Sequence, residues 1–198
     1  MRQKPIHLKP EIRILGVDDG PFDPDHTGEV PLVGVVMRGG RWVDGIMRTS
    51  VMKDGTDSTE RLIGMVLGSR HFEQLRVIMT EGITFAGFNV MDVSEVHVKT
   101  GLPVVVLSRE LPSMRDIRKA IANVPGWRER WELIKNAGRI HPVDLKGGRV
   151  YVQATGMRLE DAVRLVRLSS TRSIMPEPLR IAHLIATAIV RGESYGRV

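Results

Sequence analysis

The spacing of apolar residues changes along the chain, and these changes divide it into predicted strands and helices. In the first 51 residues, apolar runs are continuous or alternate with polar positions, and Gly39-Gly40 indicates a tight hairpin. Beyond residue 57, apolar residues mostly recur every three to four positions, which is typical of helices, and short apolar runs interrupt them. The pattern predicts strands at 12–17, 32–37, 42–51, 75–79, 103–107 and 149–153, and helices at 58–67, 90–99, 113–122, 126–137, 159–168 and 178–190.

The order of these elements favours a mixed α/β fold. Three strands come first, two helix–strand units follow, and the rest of the chain is mostly helical. Antiparallel strands followed by βαβ crossovers give a mixed sheet with helices on its faces. A ribonuclease-H-like sheet is built in this way, with strand order 3-2-1-4-5, flanked by helices and here followed by extra C-terminal helices. We expect residues 1–198 to form one such domain.

Two acidic residues stand at the ends of strands that this fold makes neighbours. Asp18 follows the first strand in the stretch ILGVDDG, and Glu81 follows the fourth. Because these strands lie parallel and about 4.8 Å apart, we expect both carboxylates at one edge of the sheet. Carboxylate oxygens are ligands that Mg²⁺ and Mn²⁺ prefer, so the pair predicts a divalent-cation site. The other interpretations are a solvated strand end for Asp18 and a loop role for Glu81.

A third carboxylate could come from the start of the helix after the third strand. Asp57 and Glu60 lie there about one helical turn apart, so both can face the same side. Asp57 could equally be the N-cap of that helix. Asp19 points to the opposite side of its strand from Asp18, and we interpret it mainly as a turn residue. The six histidines show no metal-ligand spacing, and we interpret them as surface or packing residues.

The amino-acid composition indicates which partners suit the protein, and it excludes disulfides and some kinds of metal site. The chain has no cysteine, which excludes disulfides and thiolate metal sites. No apolar run approaches the roughly 20 residues of a membrane-spanning helix, so we expect a cytoplasmic protein with no membrane partner. The net charge is +6 and the pI is about 10.0. Such a basic surplus suits a nucleic-acid partner, DNA or RNA, and is equally compatible with simple solubility.

Several motifs together resemble a known nuclease family. They are GVDDG at 16–20, GTDSTE at 55–60, TEG at 80–82, GLPVVVLSRE at 101–110 and PEPLRIAH at 176–183. From residue 12 to about residue 189, the chain resembles the archaeal endonuclease-dU family. It is also similar to the related endonuclease V, a metal-dependent nuclease of deaminated bases with a ribonuclease-H-like fold.

The resemblance implies a site and a reaction. It implies that Asp18 and Glu81 hold Mg²⁺ or Mn²⁺. Asp57 or Glu60 would then supply the third acid, and Arg109 stands where the family has a lysine. The implied reaction is hydrolysis of phosphodiesters in DNA or RNA, at or near uracil or hypoxanthine that is read outside the base stack. The glycine-histidine pair of endonuclease V is replaced by QATGMRLEDA at 153–162, so that histidine is missing.

Two other functions are compatible with parts of this pattern. The missing histidine favours a non-catalytic nucleic-acid-binding protein that retains the nuclease fold, whereas the acids favour an enzyme. An actin-like phosphotransferase shares the first elements, but it needs two such domains and a second glycine-rich loop, for which 198 residues leave no room. The sequence therefore predicts a metal-dependent endonuclease.

Overall fold

The computed structural model describes residues 8–194. Its strands are β1 (Arg13–Asp19), β2 (Glu29–Arg38), β3 (Trp42–Met52), β4 (Val77–Glu81), β5 (Thr84–Phe85), β6 (Asn89–Val90), β7 (Val104–Ser108), β8 (His141–Leu145) and β9 (Gly148–Thr155). Its helices are α1 (Ser58–Leu67), α2 (Val93–Thr100), α3 (Met114–Ile121), α4 (Trp127–Asn136), α5 (Leu159–Ser169) and α6 (Glu177–Arg191), and a 3₁₀ turn covers Phe72–Gln74. Within the described residues, no helix combines the length and the apolar content needed to cross a membrane.

One mixed sheet contains seven of the strands, in the order β3-β2-β1-β4-β7-β9-β8. Strand β1 runs antiparallel to β2 and parallel to β4, and β4 runs parallel to β7. Because β7 is the fifth of the strands that the sequence predicts, this arrangement confirms the order 3-2-1-4-5. The antiparallel pair β9 and β8 extends the sheet beyond β7.

The sequence analysis missed the short strands β5, β6 and β8. Strand β8 lies at an edge of the sheet and buries Val143 alone among its five residues, so it lacks the apolar run of an interior strand. Strands β5 and β6 have two residues each and pair with each other. They shift the start of the second helix from residue 90 to Val93. The preceding Asp92 caps this helix by accepting hydrogen bonds from the backbone N–H groups of Ser94 and Glu95.

Helices cover both faces of the sheet, and the alternation of side chains along each strand decides which face a residue joins. On one face, Val17 and Ile78 pack with residues of α1 and α2. On the other, Ile14 and Met79 pack with α5, and residues of β2 pack with α6. We call these the α1 face and the α6 face.

Helix α6 lies close against β1 at a position without a side chain. A Cβ atom at Gly16 would lie 2.3 Å from the carbonyl carbon of Pro178, in the first turn of α6. No Cβ approaches a carbonyl carbon so closely, so only glycine allows the helix to lie at this distance from the sheet. This contact therefore determines how close the following turns of α6 lie to the carboxyl end of β1.

Candidate functional site

Asp18 and Glu81 lie at the carboxyl ends of two neighbouring parallel strands, β1 and β4. The register pairs Val17 with Thr80, so the residues that follow them adjoin across the strand pair. Both acidic side chains point to the α6 face, because Val17 and Thr80 point to the α1 face. Together they line one open cavity of about 410 Å³ at the end of the sheet.

A histidine that the sequence analysis assigned to the surface or to packing joins the two acids. His183 lies on α6, and its Nδ1 is 2.8 Å from Oδ2 of Asp18. Asp18 is only 6% exposed, whereas the His183 side chain is 43% exposed and borders the same cavity. The two residues are 165 positions apart, so no local spacing reveals the pair. The one available signal was the position of His183 at the end of the PEPLRIAH motif.

Burial and nearby negative charge make the carboxyl groups of Asp18 and Asp19 hard to ionise. Burial raises the pKa of Asp18; the hydrogen bond with His183 opposes the rise, and the charge of Glu81 adds to it. Burial, followed by the charge of Asp18, raises the pKa of Asp19 to about 6. The hydrogen bond with Asp18, supported by its charge, raises the pKa of His183. A cation in this cavity would therefore stabilise the ionised carboxylates.

Asp19 ends β1 and points away from Asp18, as the sequence analysis expected. Its Oδ2 accepts a hydrogen bond from the backbone N–H of Ala86, at 2.8 Å. Ala86 follows β5 and has a φ of +46°, in the left-handed region. Asp19 is thus more than a turn residue, because its hydrogen bond links the β5–β6 hairpin to the end of the sheet.

The two candidates for the third acid lie outside the cavity of Asp18. Asp57 accepts hydrogen bonds from the backbone N–H of Met52 and from Nδ2 of Asn89, at 3.1 and 2.6 Å. It occupies the N-cap position of α1, yet its side chain makes no capping hydrogen bond. Glu60 borders a different cavity, of about 630 Å³, among residues of α2 and α4. The fold therefore brings neither residue to the acids of β1 and β4.

Arg109, in the segment that follows β7, contacts Glu81 beside the acidic cavity. Its Nε lies 3.1 Å from Oε1 of Glu81, and both side chains are partly exposed. A pair with this exposure contributes little to the stability of the fold. It does place a permanent positive charge beside the carboxylates, at a point where a phosphate group could approach.

The donor set fits a hard divalent cation that keeps several of its waters. Within residues 8–194, no three Asp, Glu or His side chains converge as a complete metal site. The cavity instead offers the carboxylates of Asp18 and Glu81, and that of Asp19, which also borders it, accepts a hydrogen bond from Ala86. Mg²⁺ is often held by one or two carboxylates together with water and substrate phosphate, and Mn²⁺ accepts the same oxygen ligands.

A second, mostly apolar cavity of about 400 Å³ lies on the α1 face. It begins at Gly82, the residue after Glu81, and a Cβ atom at Gly82 would meet nothing nearer than 3.9 Å. Ser108, Lys135 and Gln153 contribute the polar part of its wall. Its apolar lining includes Ile83, Phe88, Val106, Ile117, Ile134 and Ile140. The end of β4 therefore separates an acidic cavity from an apolar one.

Known sequences resemble this chain over almost its whole length. A family model described as endonuclease dU matches residues 10–190. A UPF0215 protein of Methanothermobacter thermautotrophicus is 52% identical over 190 residues, which are 96% of this chain and 93% of that protein. A UPF0215 protein of Pyrococcus furiosus is 46% identical over 189 residues, which are 94% of this chain and 96% of that protein.

Solved structures share the fold. A protein of unknown function from Archaeoglobus fulgidus is similar with a TM-score of 0.82 and 39% identity, over 91% of this chain and 99% of that one. The catalytic domain of human endonuclease V is similar with a TM-score of 0.57 and 19% sequence identity, over 92% of this chain and 83% of that one. Endonuclease V of Ciona intestinalis is similar with a TM-score of 0.55 and 14% sequence identity, over 87% of this chain and 83% of that one. That structure is a complex with a 24mer DNA that contains an inosine. The endonuclease V structures confirm the ribonuclease-H-like fold.

Proposed function

This chain belongs to the endonuclease dU family, and from that premise we propose that it hydrolyses phosphodiesters in DNA or RNA with Mg²⁺ or Mn²⁺, at or near uracil or hypoxanthine. The observation that carries the proposal is the pair of carboxylates, Asp18 and Glu81, at adjacent strand ends in one open cavity. Family membership and the likeness to endonuclease V support nuclease activity in general.

In this proposal, Asp18 and Glu81 hold the cation and their neighbours keep them in position. A divalent cation bound there would polarise the phosphate and increase the nucleophilicity of water. His183 orients the Asp18 carboxylate through the 2.8 Å hydrogen bond. Arg109, beside Glu81, offers its guanidinium to a phosphate oxygen. Because Asp57 lies outside the cavity, the proposal gives it no contact with the cation.

The apolar cavity on the α1 face is the proposed site of the deaminated base. Its volume of about 400 Å³ lies in the range typical of small-ligand sites. A base inside it has left the stack, as enzymes that recognise altered bases require. The nucleotide chain would reach the acids by crossing Gly82, which has no side chain to block it.

Cleavage of oligonucleotides that carry a single altered base tests the proposal. Labelled single- and double-stranded DNA with one uracil or one hypoxanthine is incubated with Mg²⁺, Mn²⁺ or EDTA. We expect cleavage with either cation and none in EDTA. Asp18→Asn and Glu81→Gln should each slow cleavage at least about a hundredfold, because a metal ion contributes several kcal/mol to the stability of the transition state.

Matched controls separate this role from a general effect of lost charge. Glu11→Gln removes one carboxylate at the opposite end of β1 and should cleave at the wild-type rate. Asp57→Asn and Glu60→Gln should retain the wild-type dependence on cation concentration, because neither side chain borders the acidic cavity. Wild-type activity in a folded Asp18→Asn protein, or cleavage that continues in EDTA, would contradict the proposal.

A non-catalytic nucleic-acid-binding protein is the second candidate. The observation that favours it is the incomplete ligand set, since the described residues hold no cluster of three acids or histidines arranged for a metal. Tight, salt-sensitive binding of the same oligonucleotides without cleavage in any divalent cation would support this candidate instead.

A further inference from the structure

The wall of the apolar cavity contains a polar side chain that one hydrogen bond orients. Gln153 lies on β9 opposite Val106 of β7, so its side chain shares the α1 face with that residue. Its Nε2 lies 2.8 Å from the carbonyl oxygen of Gly138. A carbonyl oxygen can only accept a hydrogen bond, so the amide nitrogen must face it and Oε1 must point elsewhere. Gln153 therefore presents a positioned acceptor at the cavity wall.

A potential donor stands near this acceptor. Ser108 lies two residues beyond Val106 on β7 and borders the same cavity. Across the part of the chain that the structure describes, its hydroxyl group makes no hydrogen bond, so it is available to a ligand. Diagonal positions on neighbouring antiparallel strands are about 7–8 Å apart. Gln153 and Ser108 therefore lie on either side of the same apolar part of the cavity wall. Lys135, by contrast, is engaged by Glu132 at 2.8 Å.

We propose that Gln153 distinguishes lactam bases from cytosine and adenine in this cavity, with Oε1 accepting the ring N–H of the lactam. Thymine and guanine share this N–H, so Gln153 does not separate them from uracil and hypoxanthine. Uracil and hypoxanthine carry such an N–H next to a carbonyl, to which Ser108 can donate. Cytosine and adenine, from which they arise by deamination, have a ring nitrogen without hydrogen at that position. The acceptor of Gln153 then has no partner, which weakens their binding.

This inference deepens the proposed function and rests on it. The N–H and carbonyl groups that Gln153 and Ser108 would contact belong to the Watson–Crick edge of the base. A base that is still paired cannot present this edge to the protein, so reading by Gln153 requires the base to leave its partner. The lining around the two polar groups is mostly apolar, so an acceptor of Gln153 left without a partner by a bound base would cost free energy.

Paired changes in the protein and in the base test the inference. Binding of single-stranded DNA with one central uracil or one central cytosine is measured in EDTA for the wild type and for Gln153→Met, which keeps the chain length and lacks the acceptor. We expect the wild type to prefer uracil at least about tenfold, and Gln153→Met to lose this preference. Gln74→Met, at an exposed glutamine outside the cavity, should retain it.

A second variant covers the loss of the bond to Gly138. Gln153→Lys keeps a donor for that carbonyl and removes the acceptor, and its added charge should strengthen binding to any DNA. It should still lose the preference for uracil. Thermal unfolding establishes that both variants are folded. If the folded variants keep the wild-type preference while uracil DNA is cleaved, the inference is wrong and the proposed function stands.

The inference stays testable if no DNA is cleaved. In that case the proposed function fails, and deoxyuridine and deoxycytidine are titrated into the metal-free protein while the side-chain amide signal of Gln153 is followed by NMR. A shift with deoxyuridine alone supports lactam recognition by Gln153. The same response to both nucleosides, or to neither, overturns it.

Discussion

At the scale of single residues, the site depends on two neighbouring acids that β1 directs to opposite sides. Asp18 meets His183, and Asp19 meets the backbone N–H of Ala86. The pKa of each carboxyl group is raised, chiefly by burial, so ionisation of either one costs free energy. The metal-free protein should therefore lose stability as these groups ionise.

We predict that Asp19→Asn stabilises the metal-free protein at neutral pH. The pKa of Asp19 rises from its ordinary value of 3.8 to about 6, so between these values the folded state binds more protons than the unfolded state. Stability then falls as pH rises through this window, by about 3 kcal/mol at most. Asparagine can still accept the hydrogen bond from Ala86 and does not ionise.

Urea unfolding in EDTA measures this effect. Asp19→Asn should match the wild type near pH 4 and exceed it by about 1–3 kcal/mol at pH 7. Asp19→Ala, which also loses the bond to Ala86, should gain less. A stability difference that does not change with pH would contradict the prediction.

Part of this arrangement of single residues could be predicted from the sequence. The sequence indicated the positions of Asp18 and Glu81, because strand ends and strand order follow from local periodicity. It also indicated the opposite directions of Asp18 and Asp19, because strand residues alternate. It did not indicate His183, since that contact depends on how α6 lies on the sheet and not on any spacing within the helix.

At the scale of elements, the packing of α6 on β1 holds the site together. The first turn of α6 meets the sheet at Gly16, and His183 follows on the same helix. Any change that lifts the start of α6 should therefore also move His183 from Asp18. Stability and the proposed activity should therefore be coupled through this helix, although Gly16 does not line the acidic cavity.

We predict that Gly16→Ala destabilises the protein by about 2–3 kcal/mol and lowers nuclease activity. The new Cβ would lie 2.3 Å from a backbone carbon and 2.4 Å from a backbone oxygen of Pro178, which cannot move without the helix. Gly64→Ala is the control, because Gly64 lies inside α1 with nothing within 4 Å of a new Cβ. Alanine there should stabilise the protein by about 0.5–1 kcal/mol. Equal unfolding midpoints for the two variants would refute the proposed role of Gly16.

The long periodic helices could be predicted from the sequence, but the side-chain contacts that connect them to neighbouring segments could not. All six helices agree with the predicted ones to within about three residues at either end, because each carries a recurring apolar face. The buried Arg130 of α4 gives no such signal. Its guanidinium donates to the carbonyl oxygens of Asp54 and Gly55, in the turn before α1, and of Phe88, before β6. These contacts fix a turn that the sequence alone left undefined.

At the scale of the whole molecule, a basic protein surrounds an acidic cavity. The net charge is +6, yet Asp18, Asp19 and Glu81 border one opening at the end of the sheet. The overall charge attracts a polyanion from a distance, whereas the acids repel its phosphates at close range. Binding should therefore depend on monovalent salt, and cleavage on a divalent cation.

We predict that the dissociation constant of a single-stranded 20-mer rises roughly tenfold between 50 and 200 mM salt, as two to three phosphate contacts would give. Fluorescence anisotropy with Asp18→Asn, which should bind without cleaving, measures it. A cytosine-containing oligonucleotide should show the same slope, because the phosphate contacts do not read the base. An affinity that is constant over this range would show that the basic surplus does not contact the nucleic acid.

The glycine between the two cavities has a consequence for the shape of the substrate. Asp18 and Glu81 face α6 and the apolar cavity faces α1, so under the proposed function a bound strand would fold over the rim of the sheet at Gly82. A continuous double helix resists such a sharp bend. Double-stranded oligonucleotides should therefore be cleaved more slowly than single-stranded ones, except at a frayed end, a bulge or a mismatch. A side chain at position 82 would obstruct the path between the two cavities, and it would also strain the backbone, whose φ is +75° there.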